Sequence, residues 1–307
     1  MRKKVNKFKI KRKCDFCKIE TKFLFNSKDF NREYSKNIYT YNICKNCKNI
    51  SLKNIPKRKT YLYQENFYNY KSKKNIWKDN QNKIEHLKEI NFKKNQSLLE
   101  IGSGDGSFLY CCKKLGLKCE GLDINKKLNY YTKKRFGIKT IIKKNLTNLK
   151  KKYDIICAWH SIEHFENSKK VLEFIFRNLN KNGYIILAMP NPDAYGFRLF
   201  KEKWVHVDAP RHQNLINLNF LKKYLTKKNF KIILSTTSDD DAKYNNRLSW
   251  AFYFFRIFSK KPLYAQRNYI KKLCHLIGLL LRFTFSFIEN KNYEGSCYTL
   301  IAKLKKK

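Results

Sequence analysis

From Ser97 onward the chain alternates short apolar runs with segments whose apolar residues recur every three or four positions. The runs at Ser97–Ile101, Lys118–Leu122, Lys139–Ile142, Tyr153–Ala158, Tyr184–Ala188, Phe230–Thr237 and Cys297–Leu304 predict strands. The periodic segments Asp105–Leu115, Lys126–Phe136, Ser168–Leu179 and Leu218–Lys228 predict helices, with Asn180–Gly183 stopping the third of them. Strands that alternate with helices imply an α/β fold with a parallel sheet and crossover helices. Upstream the pattern differs. Residues 1–13 form a basic tail, 14–55 carry paired cysteines, and 56–95 read as a Tyr-, Asn- and Lys-rich linker entering a helix over Asn75–Ile90. The expected organisation is therefore 1–55, 56–95 and 96–307, the last broken by an insertion at 238–296.

The first strand ends in Glu100-Ile101-Gly102-Ser103-Gly104-Asp105-Gly106 and feeds a helix. Glycine lets the chain turn sharply and lets a ligand approach the backbone. The spacing is G-x-G-x-G, not the G-x-G-x-x-G of a pyrophosphate cradle, and an acid precedes it. A carboxylate repels pyrophosphate and attracts ammonium, so the motif points to a cationic ligand with an amino acid moiety. Asp123 closes the next strand, where a carboxylate can accept both hydroxyls of a ribose or simply cap a helix.

Together with Tyr153-Asp154-Ile155-Ile156 and Ile162-Glu163-His164-Phe165, this stretch resembles the class I S-adenosylmethionine-dependent methyltransferases. Within that class it is similar to the branch of ubiquinone-type O-methyltransferases and many small-molecule and sugar methyltransferases. The resemblance covers residues 96–238 and resumes at 297–304. It implies a Rossmann-like seven-stranded sheet with S-adenosylmethionine as cofactor. It places Glu100, Gly102, Ser103 and Gly104 at the methionine end, Asp123 and Ile124 at the ribose, and Asn145 and Leu146 beside the adenine, with His160 close by. Asn145 stands where such enzymes often carry an acid. Some relatives hold a divalent metal through two acids and a His at the Glu163-His164 position; here the first acid would be His160, which leaves Mg2+ open.

Further along, Pro190-Asn191-Pro192, Arg198, Trp204 and Asp208-Ala-Pro-Arg-His212 resemble the stretch that covers the methyl-transfer site in that branch. His212 is the candidate general base, because an imidazole with a pKa of about 6.5 suits deprotonating a hydroxyl near neutrality. Glu163 and His164 join it as catalytic candidates, with a lid-pinning role for this loop as the alternative. Arg211 could orient an anionic substrate.

The pairs Cys14-x2-Cys17 and Cys44-x2-Cys47, separated by 26 residues, are what a tetrahedral structural Zn2+ takes, and suggest a small zinc ribbon. The other cysteines lie mostly in apolar runs, and the N-terminus carries no apolar signal-peptide core, which suits a reducing cytoplasm. Between Thr237 and Cys297 about 60 residues stand where a tight hairpin loop would normally do. They include two aromatic-rich apolar stretches within 248–288, flanked by Lys and Arg, that suit peripheral contact with an inner membrane face, a lid or a dimer face.

Charge changes this picture little. The 307 residues carry 68 Lys and Arg against 24 Asp and Glu, a formal net charge of +44, yet only 12 of the basic residues are Arg. Arg is the side chain that bidentate phosphate and base contacts favour. The expected function is methyl transfer to a small-molecule, sugar or lipid-linked acceptor, as in cell-surface glycan or quinone-like biosynthesis. A nucleic-acid methyltransferase using the ribbon and the lysines is one alternative. Trp159-His160-Ser161-Ile162 stands where base-amino methylating enzymes carry an Asn/Asp-Pro-Pro-aromatic motif, which counts against it. A non-catalytic scaffold is another, opposed by the intact Glu100, glycines and Asp123.

Overall fold

A computed structural model describes residues 8–57, 73–142, 146, 149, 151–258, 268–290 and 293–306. The N-terminal part holds β1 (Phe8–Ile10), β2 (Lys22–Ser27), β3 (Tyr39–Ile43), β4 (Ile50–Leu52) and β5 (Asn54–Pro56). Then come α1 (Lys73–Asp79), α2 (Gln81–Lys88), β6 (Ser97–Ile101), α3 (Ser107–Lys114), β7 (Lys118–Leu122), α4 (Lys126–Phe136), β8 (Lys139–Ile141) and β9 (Tyr153–Trp159). The remainder is α5 (Ser168–Arg177), β10 (Leu179–Pro190), α6 (Tyr195–Phe200), β11 (Asn214–Leu215), α7 (Leu218–Lys227), β12 (Phe230–Thr236), α8 (Asp240–Phe258), α9 (Asn268–Asn290) and β13 (Cys297–Leu304).

Seven strands form one sheet in the order β12-β13-β10-β9-β6-β7-β8. All pairs are parallel except those of β13, which runs antiparallel to both β10 and β12. This is the expected Rossmann-like class I methyltransferase sheet, with the helical insertion before the last strand. The central strands read as near-continuous apolar runs because helices cover both faces. One face packs Ile156, Leu187 and Leu300 beneath Leu172, Phe174 and Leu221; the other packs Leu98, Ile155 and Ile186 beneath Phe108 and Leu109. Asn125, Asn167 and Asn217 cap α4, α5 and α7 by accepting from backbone amides of the first turn.

Two local expectations are corrected. The helix anticipated over Asn75–Ile90 breaks at Asn80, whose amide group donates back to the Ile76 carbonyl at 2.8 Å and so competes with the helical ladder. Asn180–Gly183 does not merely end a helix. It already lies in β10, where the register to β9 shifts between Leu179 and Tyr184 and Asn182 takes up φ 62°.

The N-terminal module is fused to the large sheet domain by hydrogen bonds and a buried ion cluster. Strand β11 completes the four-stranded sheet β11-β4-β3-β2, pairing Asn214 with Ser51 and Leu215 with Ile50. The fully buried Arg211 guanidinium sits 2.6 Å from both Asp29 and Asp208. Asn31 donates to Asp208 at 2.6 Å and to the Val205 carbonyl at 2.8 Å. The buried Tyr41 hydroxyl donates to the His212 carbonyl at 2.8 Å. Phe16, between the first two cysteines, packs edge-on against Phe220 and Tyr224 of α7.

Removing the cation would strand two buried carboxylates. Arg211→Met is expected to destabilise the full chain by about 3–5 kcal/mol. Urea denaturation followed by circular dichroism checks this, and a midpoint equal to that of the unsubstituted protein would remove Arg211 from this role.

Candidate functional site

The carboxyl ends of β6, β7 and β9 meet at one edge of the sheet, where open parallel sheets bind ligands. After β6 the chain turns through Gly102 at φ 73° and Gly104 at φ 52°. A Cβ on Gly102 would lie 2.5 Å from the Cβ of Ser161, so only glycine lets the two strand ends approach. A Cβ on Gly104 would meet nothing within 4 Å, which leaves open space above that backbone. Ser161 ties the same two ends together by donating to the Ile101 carbonyl at 2.8 Å.

Glu100 is buried beneath this turn, and its Oε2 has no hydrogen-bond partner. Burial pushes its pKa up to about 8; nearby Lys83 opposes the shift and Asp105 and Asp123 add to it. The Ser103 hydroxyl is also buried without a partner. Asp123 accepts from the Gly104 amide at 2.9 Å and the Asn125 amide at 2.8 Å, so it braces the glycine turn. Its pKa is raised by burial against those bonds. Each carboxylate oxygen retains capacity for a further donor such as a hydroxyl. Ile124 beside it is exposed and Leu146 is half-buried, so both present apolar surface; Asn145 lies outside the described residues. A zwitterionic, ribose-bearing cofactor fits this set: an unpaired buried carboxylate for an ammonium, open backbone for close approach and a second carboxylate for hydroxyls.

A second group of polar residues follows β9. Glu163, His164 and His212 bring ligand atoms within 4.8 Å of one another. Both Glu163 oxygens are buried without a hydrogen-bond partner; its burial opposes ionisation, but the surrounding histidines outweigh it and hold the pKa at about 2. The His164 and His212 rings meet edge to face at 4.7 Å. His164 Nδ1–H donates to the Arg211 carbonyl at 3.1 Å, and burial with the neighbouring His212 takes its pKa down to about 4, so it is neutral at pH 7. His212 Nδ1–H donates to the His206 carbonyl at 2.7 Å, which leaves the basic lone pair on Nε2, 4.0 Å from Asp208.

His160 borders this triad, with its Nδ1 3.6 Å from a Glu163 carboxylate oxygen. It is held at φ 45°, and its Nε2 bonds Asp241 at the start of α8 at 2.6 Å. Burial works against its charge, but Asp241 and then Glu163 raise the pKa to about 10, so His160 and Asp241 form an ion pair at neutral pH. The acid-acid-His set that would hold Mg2+ in the resembled branch is therefore not formed: the first position is a cation already paired.

Three contributors to this region escape the sequence reading: Asp241 from the insertion, and His206 and Cys297, whose ring nitrogen and thiol lie 3.8 Å apart. The Asp239-Asp240-Asp241 run, an acidic cluster in a basic chain, could have marked the first of them.

In the N-terminal module Cys14, Cys17, Cys44 and Cys47 place their sulfurs within 4.8 Å of one another. The hydrogen bond with Cys47, at 3.5 Å, takes the Cys14 thiol down to about 5 against the effect of burial. Four thiols converging from two C-x2-C turns fit a tetrahedral Zn2+.

Residues 72–235, more than half of the chain, match the methyltransferase-domain family, and the chain belongs to that family, as a class I S-adenosylmethionine-dependent methyltransferase domain. Among curated proteins it is 31% identical over 140 residues to an uncharacterized protein of Methanocaldococcus jannaschii; the match covers 45% of this chain and 66% of that relative, just under two thirds of its length. Among solved structures it is similar to a phosphoethanolamine N-methyltransferase 2 of Haemonchus contortus bound to phosphomonomethylethanolamine and S-adenosylhomocysteine. There the TM-score is 0.51 at 15% identity, over 74% of this chain and 53% of that one, which shows a shared fold. A SAM-dependent methyltransferase of Archaeoglobus fulgidus aligns over 76% of this chain and 94% of its own, at 18% identity and TM-score 0.48.

The purified full chain is expected to carry about one zinc per molecule, and Cys44→Ser to lose it. Elemental analysis reads this directly; a metal-free protein that keeps its fold would rule the zinc site out.

Proposed function

We propose that the whole protein transfers the methyl group of S-adenosylmethionine to a small-molecule, sugar or lipid-linked acceptor. The observation that carries this reading is the buried Glu100 carboxyl, with its Oε2 unpartnered, beneath the open backbone of Gly104, and Asp123 braced beside it. In this reading Glu100, Gly102, Ser103 and Gly104 hold the methionine end. Asp123 takes the ribose hydroxyls, and Ile124, Leu146 and Asn145 flank the adenine. His160, held by Asp241, shapes the wall between the cofactor and the acceptor.

Methyl transfer is an in-line displacement at a sulfonium, so alignment of the acceptor supplies much of the rate. Glu163, His164 and His212 occupy the acceptor side. His212 Nε2 removes the proton of an acceptor hydroxyl, since its Nδ1–H is already committed to the His206 carbonyl. His164, neutral at pH 7, keeps the cluster from gathering a second positive charge. The zinc-binding module acts from outside, by pinning the loop that carries His212.

Two experiments test this reading. Below pH 8 the ligand-free Glu100 is largely protonated, and pairing with the cofactor ammonium requires it ionised. Cofactor binding at pH 7 should therefore release close to one proton, and the release should fade as pH rises past about 8. Calorimetry in buffers of different ionisation enthalpy measures it. Glu100→Gln should abolish the release and weaken binding about ten- to a hundredfold. Binding without proton release would take Glu100 out of the cofactor site. Secondly, His212→Gln should lower methyl transfer about 10²- to 10⁴-fold with cofactor affinity unchanged. The readout is labelled methyl incorporation into the small-molecule and lipid fractions of a cell extract. Incorporation into RNA instead would favour the nucleic-acid alternative.

A further inference from the structure

The two apolar stretches of the insertion have different fates. In α8, Trp250, Ala251, Phe252 and Phe255 are buried, so this helix belongs to the core. Helix α9 lies along it. Gly278 permits the close approach, since a Cβ there would come within 2.6 Å of the Arg247 carbonyl, and Phe285 stacks on Trp250 at 5.0 Å. Cys274, Gly278, Leu281 and Phe285 thus define the inner side of α9.

The opposite side is also apolar and has no cover. Leu273, Leu276, Leu280, Phe283 and Phe287 are 53%, 54%, 61%, 78% and 68% exposed. Their spacing of three and four residues places them on one stripe about 21 Å long at 1.5 Å per residue. A stripe of that size on a surface marks an interaction site. Among the described residues no helix is long and apolar enough to cross a membrane.

Charge decides between the two occupants such a stripe could take. A second copy of the chain would bring another formal +44 against this one. Residues 259–290 offer six Lys and Arg against a single acid, Glu289, so cross-pairs of opposite charge would be few. An anionic lipid surface meets the same features favourably: basic residues face phosphate headgroups while Leu and Phe side chains enter the headgroup–acyl boundary. We propose that α9 docks on an anionic membrane surface through Leu273, Leu276, Leu280, Phe283 and Phe287, lying in the plane of the interface with α8 on its protein side.

This docking has a consequence for the site. The helix seated on the lipid is packed on α8, whose first turn supplies Asp241 to His160. The sheet edge that carries the cofactor and acceptor groups is thereby tied to a membrane-facing element through one helix pair.

Flotation of the 307-residue chain with vesicles tests the proposal, without cofactor or acceptor, so that its outcome is independent of methyl transfer. Binding is expected to vesicles of phosphatidylcholine mixed equally with phosphatidylglycerol, to be weak on phosphatidylcholine alone, and to fall with salt. Leu280→Asp with Phe283→Asp should reduce vesicle binding at least about tenfold and leave S-adenosylmethionine affinity unchanged. A Phe283→Trp reporter, which keeps the stripe apolar, should shift its fluorescence to the blue on the anionic vesicles. Either an unshifted reporter or undiminished flotation of the double variant overturns the proposal. So does a self-association in analytical ultracentrifugation that the double variant abolishes, which would assign the stripe to a second copy.

Discussion

A guanidinium with no solvent access is tolerable only while its charge is matched, and Arg211 is matched from two directions. Asp208 comes from its own loop, and Asp29 comes from the N-terminal module, 182 residues away in sequence. Desolvation penalises each of these charges, but mutual attraction wins: Asp208 is held well below the usual carboxylate range and Arg211 above its own. Around this cluster the Tyr41 hydroxyl bonds the His212 carbonyl and β4 pairs with β11. The loop from Trp204 to Leu215 therefore has few conformations open to it while the module is folded. That loop sets the direction of the His212 ring, since the His206 carbonyl fixes its Nδ1 proton. The cysteine module is then less an appendage than the outer support of the loop that carries His212.

The glycine turn after β6 is arranged by the opposite device, a polar group left unsatisfied. A buried carboxyl with an unpartnered oxygen costs stability, which is why Glu100 holds its proton up to about pH 8. In the proposed reading the cofactor ammonium would offset that cost. The glycine turn stays in place meanwhile because Asp123 grips the Gly104 amide from the neighbouring strand. One edge of the sheet thus couples a rigid turn to a buried carboxyl held in its neutral form.

How much of this could be read from the chain follows the range of the interactions. The strands, the Gly102–Gly106 turn, Asp123 and the paired cysteines were legible because each depends on spacing within about 30 residues and on the fixed geometry of a strand–turn–helix unit. The Asn80 break and the early start of β10 were not, because a single Asn competing for a backbone carbonyl and a single register shift leave the apolar periodicity intact. His160 shows the limit more sharply. Its place after β9 was evident, but its partner Asp241 lies 81 residues on, inside an insertion without a regular counterpart. Asp29 and Asn31 gave no signal at all, since a lone acid and amide in a loop become meaningful only when Arg211 folds against them.

The net charge of +44 takes its meaning from where the apolar surface is left. Spread over helix faces and the Lys305–Lys307 end, lysines solvate the chain without selecting a partner. Beside α9 they act together with something that does select, a stripe of five large apolar side chains turned away from the core. Long-range attraction from diffuse charge cannot fix an orientation, whereas partition of Leu and Phe side chains into a headgroup layer can. The same positive field that attracts an anionic surface also disfavours pairing with a second copy, so charge and apolar stripe restrict one another. Since α9 is stacked on α8, and the first turn of α8 holds His160 through Asp241, the orientation chosen at the surface is carried to the edge of the sheet by packing and one ion pair.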